Sequence, residues 1–235
     1  MLLLPLLLNF QLIDLSHTLQ DGIPSWNGSC GFAQEIIVDY EHEGVRVHGI
    51  TMEAGIGTHI DAPSHFIPDG QTIDQIPLEQ CFAPLVVINV VDKSHQDYEV
   101  SVEDIANYEK QYGTIANAAF VFVYTGWDKK WPDPVAYRNV DAQGHKHFPG
   151  VSAAAAALLL ERGIVGLGID TLSPDGCQYT FPVHHLLFNK NVYIAENMTN
   201  GSAVPASGAY IAIMPLKIGQ GTESPVRAVA FVPKN

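Results

Sequence analysis

The longest apolar runs in the chain are short and rich in β-branched residues. Residues 84–91, Pro-Leu-Val-Val-Ile-Asn-Val-Val, and 119–124, Ala-Phe-Val-Phe-Val-Tyr, read as strands buried on both faces. Residues 165–169, Val-Gly-Leu-Gly-Ile, form a third such run and end at Asp170. Strands are also expected over 12–16, 36–40 and 45–51, the last alternating only in part. A helix is predicted over 101–111, where Ser101 can cap and Asp104 sits at the positive helix start. Ser152 is placed to cap an Ala- and Leu-rich helix over 153–162, with Gly163 just past its end. Residues 183–188 suit a short helix and 189–191 a turn. Residues 192–195 then suit a buried strand with Glu196 at its end. No period runs through 127–150, which holds two Trp, three Pro and two His and reads as a long loop of the kind that often forms a lid. Strands and helices alternate only partly, so the expected fold class is α/β with a mixed sheet. No repeat, low-complexity tract or linker interrupts the chain, and 1–235 is expected to be one domain.

Composition narrows the function more than the fold. The chain has 235 residues, 47% of them hydrophobic and 16% charged, a balance that supports a sizeable core. Its formal charge of −13 argues against nucleic acid as a partner, since phosphate binding needs an excess of Lys and Arg, while acidic sites attract metals. The three cysteines, Cys30, Cys81 and Cys177, are far apart and odd in number, which fits a reducing compartment and a cytoplasmic protein. The apolar start, residues 1–10, has no basic n-region, is interrupted by Pro5 and is too short to span a bilayer. It is expected to be an arm or first strand packed on the body or a neighbouring subunit, with no membrane partner.

The chemistry gathers at Gly57-Thr-His-Ile-Asp-Ala-Pro-Ser-His65. His59 and Asp61 are two apart, so on an extended segment they project to one side. Pro63 has no N–H to donate and ends regular pairing, which lets His65 turn back toward the same pocket. Two imidazoles and a carboxylate near a Gly-flanked bend make half of a metal site. A second segment, with His184 and Glu196, offers the other half. A carboxylate at the end of an apolar strand is costly to bury unless it is paired or binds a cation.

These two segments resemble the cyclase-like metal-dependent hydrolase family, which takes in bacterial kynurenine formamidase and isatin hydrolase. The family signature HxGTHxDxPxH is matched at Gly57, Thr58, His59, Asp61, Pro63 and His65. The likeness extends to residues 12–17, 168–173 and 224–230, and to His184 with Glu196 twelve residues later, in the same order along almost the whole chain. It implies a swivelling β/β/α architecture and a homodimer or higher homo-oligomer with the pocket near the interface. It also implies a divalent metal, Zn or Mn, held by His59, Asp61, His184 and Glu196. One position departs: the first His of the signature, a metal ligand in the family, falls on Gly55. Either fewer metals are held, or another group such as Glu53 fills the gap, or the site is degraded.

The mechanism expected from the resemblance is hydrolysis of a C–N bond in a small amide, formamide or lactam by metal-activated water, with N-formylkynurenine and isatin as substrates of relatives. His65 lies beyond the ligand pair and is the expected general acid and base, since an imidazole can take up and return a proton near neutral pH. Trp26, Phe66, Trp127 and Phe181 are aromatics on nearby segments that could stack on a substrate ring. His185 is adjacent to His184 and diverges from it on a helix, so it is expected at the surface or in packing. Other readings of the same residues are a non-catalytic metal- or small-molecule-binding member of the fold, or a metal-dependent lyase or isomerase. No serine-hydrolase elbow, dinucleotide fingerprint or Walker A string is present, and Cys177 is expected to be a passive thiol.

Overall fold

A computed structural model describes residues 9–234, so the expected N-terminal arm lies largely outside the described residues. Its main sheet has eight strands in the order β1 (Phe10–Asp14), β12 (Glu223–Pro233), β11 (Ala209–Pro215), β5 (Phe82–Asn89), β7 (Phe120–Tyr124), β9 (Gly166–Ile169), β10 (Tyr193–Glu196) and β4 (His59–Asp61), while β6 (Glu99–Val100) and β8 (Gly150–Val151) pair apart from it; β4 also pairs with β12. That last pairing closes the sheet into a barrel. Strand β12 (Glu223–Pro233) makes the closure possible by its length, eleven residues. One edge carries β11 (Ala209–Pro215), while the other is shared between β4 (His59–Asp61) at Glu223 to Pro225 and β1 (Phe10–Asp14) at Val229 to Pro233. Strands β5 (Phe82–Asn89), β7 (Phe120–Tyr124), β9 (Gly166–Ile169) and β10 (Tyr193–Glu196) run parallel to one another. Strand β4 runs antiparallel to both of its neighbours. The sheet is thus mixed, as the partial alternation of strands and helices predicts.

Both faces of the parallel strands are buried, and their side chains alternate between two cores. Phe120, Phe122 and Tyr124 point into the barrel with Leu85, Val87 and Ile211. Val121 and Val123 point outward, to Ile105 and Tyr108 of the helix Val102–Tyr112 and to Ala155 and Leu159 of the helix Ala153–Glu161. This two-sided burial is why these runs carry no polar alternation. Burying each large apolar side chain contributes about 1.5–3 kcal/mol. The caps expected at Ser101 and Ser152 are present: Ser101 accepts from Asp104 N, and Ser152 accepts from Ala155 N. Among the described residues no helix is long and apolar enough to cross a membrane.

Two expectations are corrected. The strand expected at 36–40 is β2 (Phe32–Val38), because Asp39 accepts from Tyr40 N and starts the short helix Tyr40–Glu43. Among the described residues strand β2 pairs only with β3 (Val47–Met52), as a ribbon separate from the barrel. The segment 127–150 is not a structureless lid. It holds a 3-10 turn at Trp127–Lys130 and a helix at Pro134–Arg138 capped by Asp133. Trp127, Trp131, Tyr137 and Phe148 form a third core with Ile23, Ile56 and Leu172. Aromatic burial without a helical or strand period is what the sequence pattern could not reveal.

Candidate active site

The site sits on the outer wall of the barrel, where β4 meets β10 and β12. Ile60 points inward and is fully buried in the barrel core, so His59 and Asp61 on either side of it must point outward. Register then sets their neighbours: His59 lies opposite Glu196, and Asp61 lies opposite Glu223. The start of β4 is fixed by hydrogen bonds. Gly57 has a positive φ of 67°, a conformation that glycine adopts at least cost. Its carbonyl accepts from Asn197 Nδ2 at 2.9 Å. Thr58 Oγ1 donates to Asn197 O at 2.6 Å. His59 Nδ1 is 2.9 Å from the Gly57 carbonyl, which can only accept, so Nδ1 carries the proton and Nε2 faces the site. At the other end, Pro63 opens the 3-10 turn Pro63–His65, and His65 N donates to Ala62 O at 2.9 Å.

His184 arrives from the helix Pro182–Phe188 and is oriented in the same way. Its Nδ1 is hydrogen-bonded to Asp175 Oδ2. Asp175 also accepts from Val183 N at 2.7 Å, so one carboxylate holds both the helix start and the ring. The two Nε2 atoms face the same pair of carboxylates. His59 Nε2 is 3.3 Å from Asp61 Oδ1 and 3.5 Å from Glu196 Oε2. His184 Nε2 is 3.5 Å from Asp61 Oδ2 and 3.5 Å from Glu196 Oε1. Each carboxylate therefore offers one oxygen to each imidazole.

The electrostatics of this cluster are dominated by the mutual influence of two imidazoles and two carboxylates. Burial alone would lower the His59 imidazole, but Asp61 and Glu196 outweigh it and raise the ring to about 10. His184 is raised well above its ordinary value by Asp175, Asp61 and Glu196, against its burial. Asp61 is buried, yet His59 and His184 hold its carboxyl well below the usual range. Burial and the Asp61 charge push Glu196 up to about 7. Asp61 Oδ1 is buried and accepts no hydrogen bond of regular geometry; its one neighbour on that side is His59 Nε2 at 3.3 Å, so the pair stands where a metal cation would be met by both. The ligand atoms of His59, Asp61 and Glu196 lie within 4.8 Å of one another. Imidazole nitrogens and carboxylate oxygens, with second partners on both rings, suit a divalent cation.

The cluster forms the floor of a cavity of about 300 Å³. Of the residues singled out in the sequence, His59, Asp61, His184, Glu196, His65, Trp26, Phe66 and Phe181 line it. Phe66 packs on His184 at 4.6 Å and on Phe181 at 5.1 Å between ring centres, and Trp26 lies 6.0 Å from Phe181. Trp127 is not brought there. It is buried in the third core, and its Nε1 donates to Tyr137 O at 2.9 Å. His185 does not line the cavity: it is exposed, with its ring edge-on to Phe66 at 5.5 Å. Asp170 is fully buried behind the site, where its carboxylate accepts from Thr125 N and Trp127 N at 2.9 Å, a structural clamp. Glu53 does not reach the cluster either. Its carboxylate lies against Gly31.

Three neighbours have no signal in the sequence pattern. Asp175 precedes His184 at no regular spacing, Asn197 merely follows Glu196, and Glu223 is brought to Asp61 only by barrel closure.

The family model described as "Putative cyclase" matches residues 13–176. The chain belongs to this family. It is 36% identical over 193 residues to the isatin hydrolase of Roseibium aggregatum, covering 76% of this chain and 72% of that one. It is 30% identical over 224 residues to the kynurenine formamidase of Bacillus mycoides, covering 93% and 96%. In structure it is similar to isatin hydrolase A from Ralstonia solanacearum, with a TM-score of 0.91 at 30% identity over 98% of this chain and 97% of that one. The mixed α/β barrel is thus the fold of this family, and the chain is a hydrolase.

Proposed function

We propose that the chain hydrolyses the C–N bond of a small amide, formamide or lactam carried on an aromatic ring, with His59, Asp61, His184 and Glu196 holding a divalent cation. The observation that carries this reading is the buried convergence of two imidazoles and two carboxylates around Asp61 Oδ1, which has no other partner. Two nitrogens and two carboxylates suit zinc or manganese. A bound cation of this kind supplies a water of lowered pKa and polarises a carbonyl oxygen. The protein supplies the rest. Gly57 O and Asp175 fix the two ring orientations, so that neither imidazole must be ordered during turnover. His65 stands at the pocket wall with Nδ1 3.5 Å from Glu223 Oε2, where it can take the proton of the attacking water and return it to the leaving nitrogen. Phe66, Phe181 and Trp26 offer a wall for a flat ring. The names of the relatives make isatin and N-formylkynurenine the first compounds to try.

The reading extends to a homodimer working in the cytoplasm. Ile36, Ile37, Val47 and Ile50 on the β2–β3 ribbon are exposed apolar residues that a second copy would cover. Cys30, Cys81 and Cys177 are all unpaired.

The test is elemental analysis and turnover of isatin and N-formylkynurenine by the wild type, His65→Ala and His184→Ala. The expected result is zinc or manganese bound to the wild type and to His65→Ala, with turnover in His65→Ala lower by about 10²–10⁴-fold. His184→Ala is expected to lose metal and activity together. A His65→Ala variant that loses its metal would overturn the division of roles, and a wild type that binds no divalent metal would overturn the reading as a whole.

A further inference from the structure

Gly55 lines the same cavity as the two imidazoles. Its backbone is not in the left-handed region, so its φ does not demand glycine. Space is the constraint. A Cβ on residue 55 would lie 3.5 Å from His59 Nε2 and 3.1 Å from Glu223 Cδ, and it would overlap Glu223 Oε1. A side chain at residue 55 and the carboxylate of Glu223 therefore compete for one volume, and that volume adjoins the free nitrogen of His59.

Glu223 reaches this place through β12. It pairs with Asp61 across the strands, so the two carboxylates share the outer face of the barrel. Its second oxygen lies 3.5 Å from His65 Nδ1. A half-buried carboxylate set beside another is unfavourable unless a positive charge compensates both. On the His59 side, the buried Asp61 Oδ1 is without a hydrogen-bond partner. The neighbour of Gly55 in sequence that could have served instead, Glu53, is turned toward Gly31, where a Cβ would lie 2.8 Å from its Oε2.

We propose that Glu223 is a cation ligand on the His59 side of the cluster, taking the corner that the first His of the HxGTHxDxPxH pattern would occupy at residue 55. The proposal rests on the reading of the cluster as a cation centre. It explains the glycine: residue 55 is small because Glu223 fills its place. The chain then keeps a ligand set of ordinary size, with an oxygen where the pattern has a nitrogen. That exchange favours a harder ion such as Mn²⁺ over Zn²⁺ relative to a site completed by imidazole.

The experiment is calorimetric titration of metal-stripped full-length protein with Mn²⁺, on the wild type, Glu223→Ala, Gly55→His and the double variant. The expected affinity of Glu223→Ala is lower by about 100-fold or more, beyond what losing an outer partner of a ligand usually costs. Its metal-free melting temperature should not fall, because a carboxylate next to Asp61 has been removed, whereas loss of a merely structural Glu would lower it. Gly55→His alone should also bind weakly, since the new ring and Glu223 collide. The double variant should recover to within about tenfold of the wild type, because imidazole at 55 again completes the ligand set. Should Glu223→Ala prove poorly folded, Glu223→Gln preserves the shape and is expected to show the same loss of affinity. Wild-type affinity in Glu223→Ala or Glu223→Gln, or a double variant no better than Glu223→Ala, would overturn the assignment while leaving the cation site intact. A wild type that binds no Mn²⁺ and no Zn²⁺ would instead overturn the cation reading and this assignment with it.

Discussion

Binding of a divalent cation to the metal-free protein is expected to release protons, and their number follows from the site. In the metal-free cluster His59 is raised to about 10, and His184 is raised well above its ordinary value, so both rings are charged at pH 7. Burial and the Asp61 charge raise Glu196 as well, so it competes for protons in the same range. Metal ligands are neutral imidazole and ionised carboxylate, so the cation must displace about two protons from the rings, and any that Glu196 holds, at pH 7. The sign is fixed: raising the pH removes protons that compete with the cation, so affinity rises. Between pH 6 and 8 the apparent affinity should climb by roughly 100-fold or more per pH unit, and it should level off only near the His59 value. Calorimetry of Mn²⁺ binding in buffers of different ionisation enthalpy reads the proton count directly. Release of fewer than about one proton at pH 7, with a flat affinity from pH 6 to 8, would mean that the imidazoles are not displaced from ion pairs by the cation, and the account of the cluster would fall.

Other substitutions separate ligand support, scaffold and substrate wall. Asp175→Asn is expected to weaken cation binding by about 10–100-fold while Asn still accepts from Val183 N, so affinity should drop with little change in melting temperature. Asp170→Ala strands the buried N–H groups of Thr125 and Trp127 and should cost about 3 kcal/mol in urea unfolding, with the pocket residues untouched. Trp26→Ala should raise KM about tenfold for an aromatic amide at nearly constant kcat, because it removes binding that substrate and transition state share. Trp127→Phe should leave KM unchanged and cost about 1 kcal/mol of stability through the lost bond to Tyr137 O.

Much of the fold is legible in the sequence because its central strands are buried on both sides. Runs such as Phe120–Tyr124 must be interior strands, since no other short element buries five consecutive large residues. The caps at Ser101 and Ser152 are equally local, each formed with a backbone N–H three residues on. What is not legible depends on contacts between distant segments. The pairing of β4 with the start of β12 closes the barrel, yet β4 has three residues and no apolar run. The packing of 127–150 around Trp127 and Tyr137 follows no period, since each ring is held by its particular neighbours.

The site shows the same division, and its unread part bears on the chemistry. His59 and Asp61 can be placed on one face by spacing alone, and Glu196 is marked by its position at the end of an apolar strand. Gly55 looks in sequence like a missing ligand. In three dimensions it is the space into which Glu223 reaches, from a strand at the other end of the chain. A sheet that closes on itself makes such exchanges easy, because β4 is flanked by two strands and either neighbour can send a side chain over the same two imidazoles. In such a barrel, a ligand lost from the segment before β4 can be replaced from β12 without moving His59, Asp61 or His184. With Glu223 as the proposed ligand, three carboxylates would surround the cation, which would lower the positive charge available to activate water and would leave more of the proton transfer to His65, 3.5 Å from Glu223.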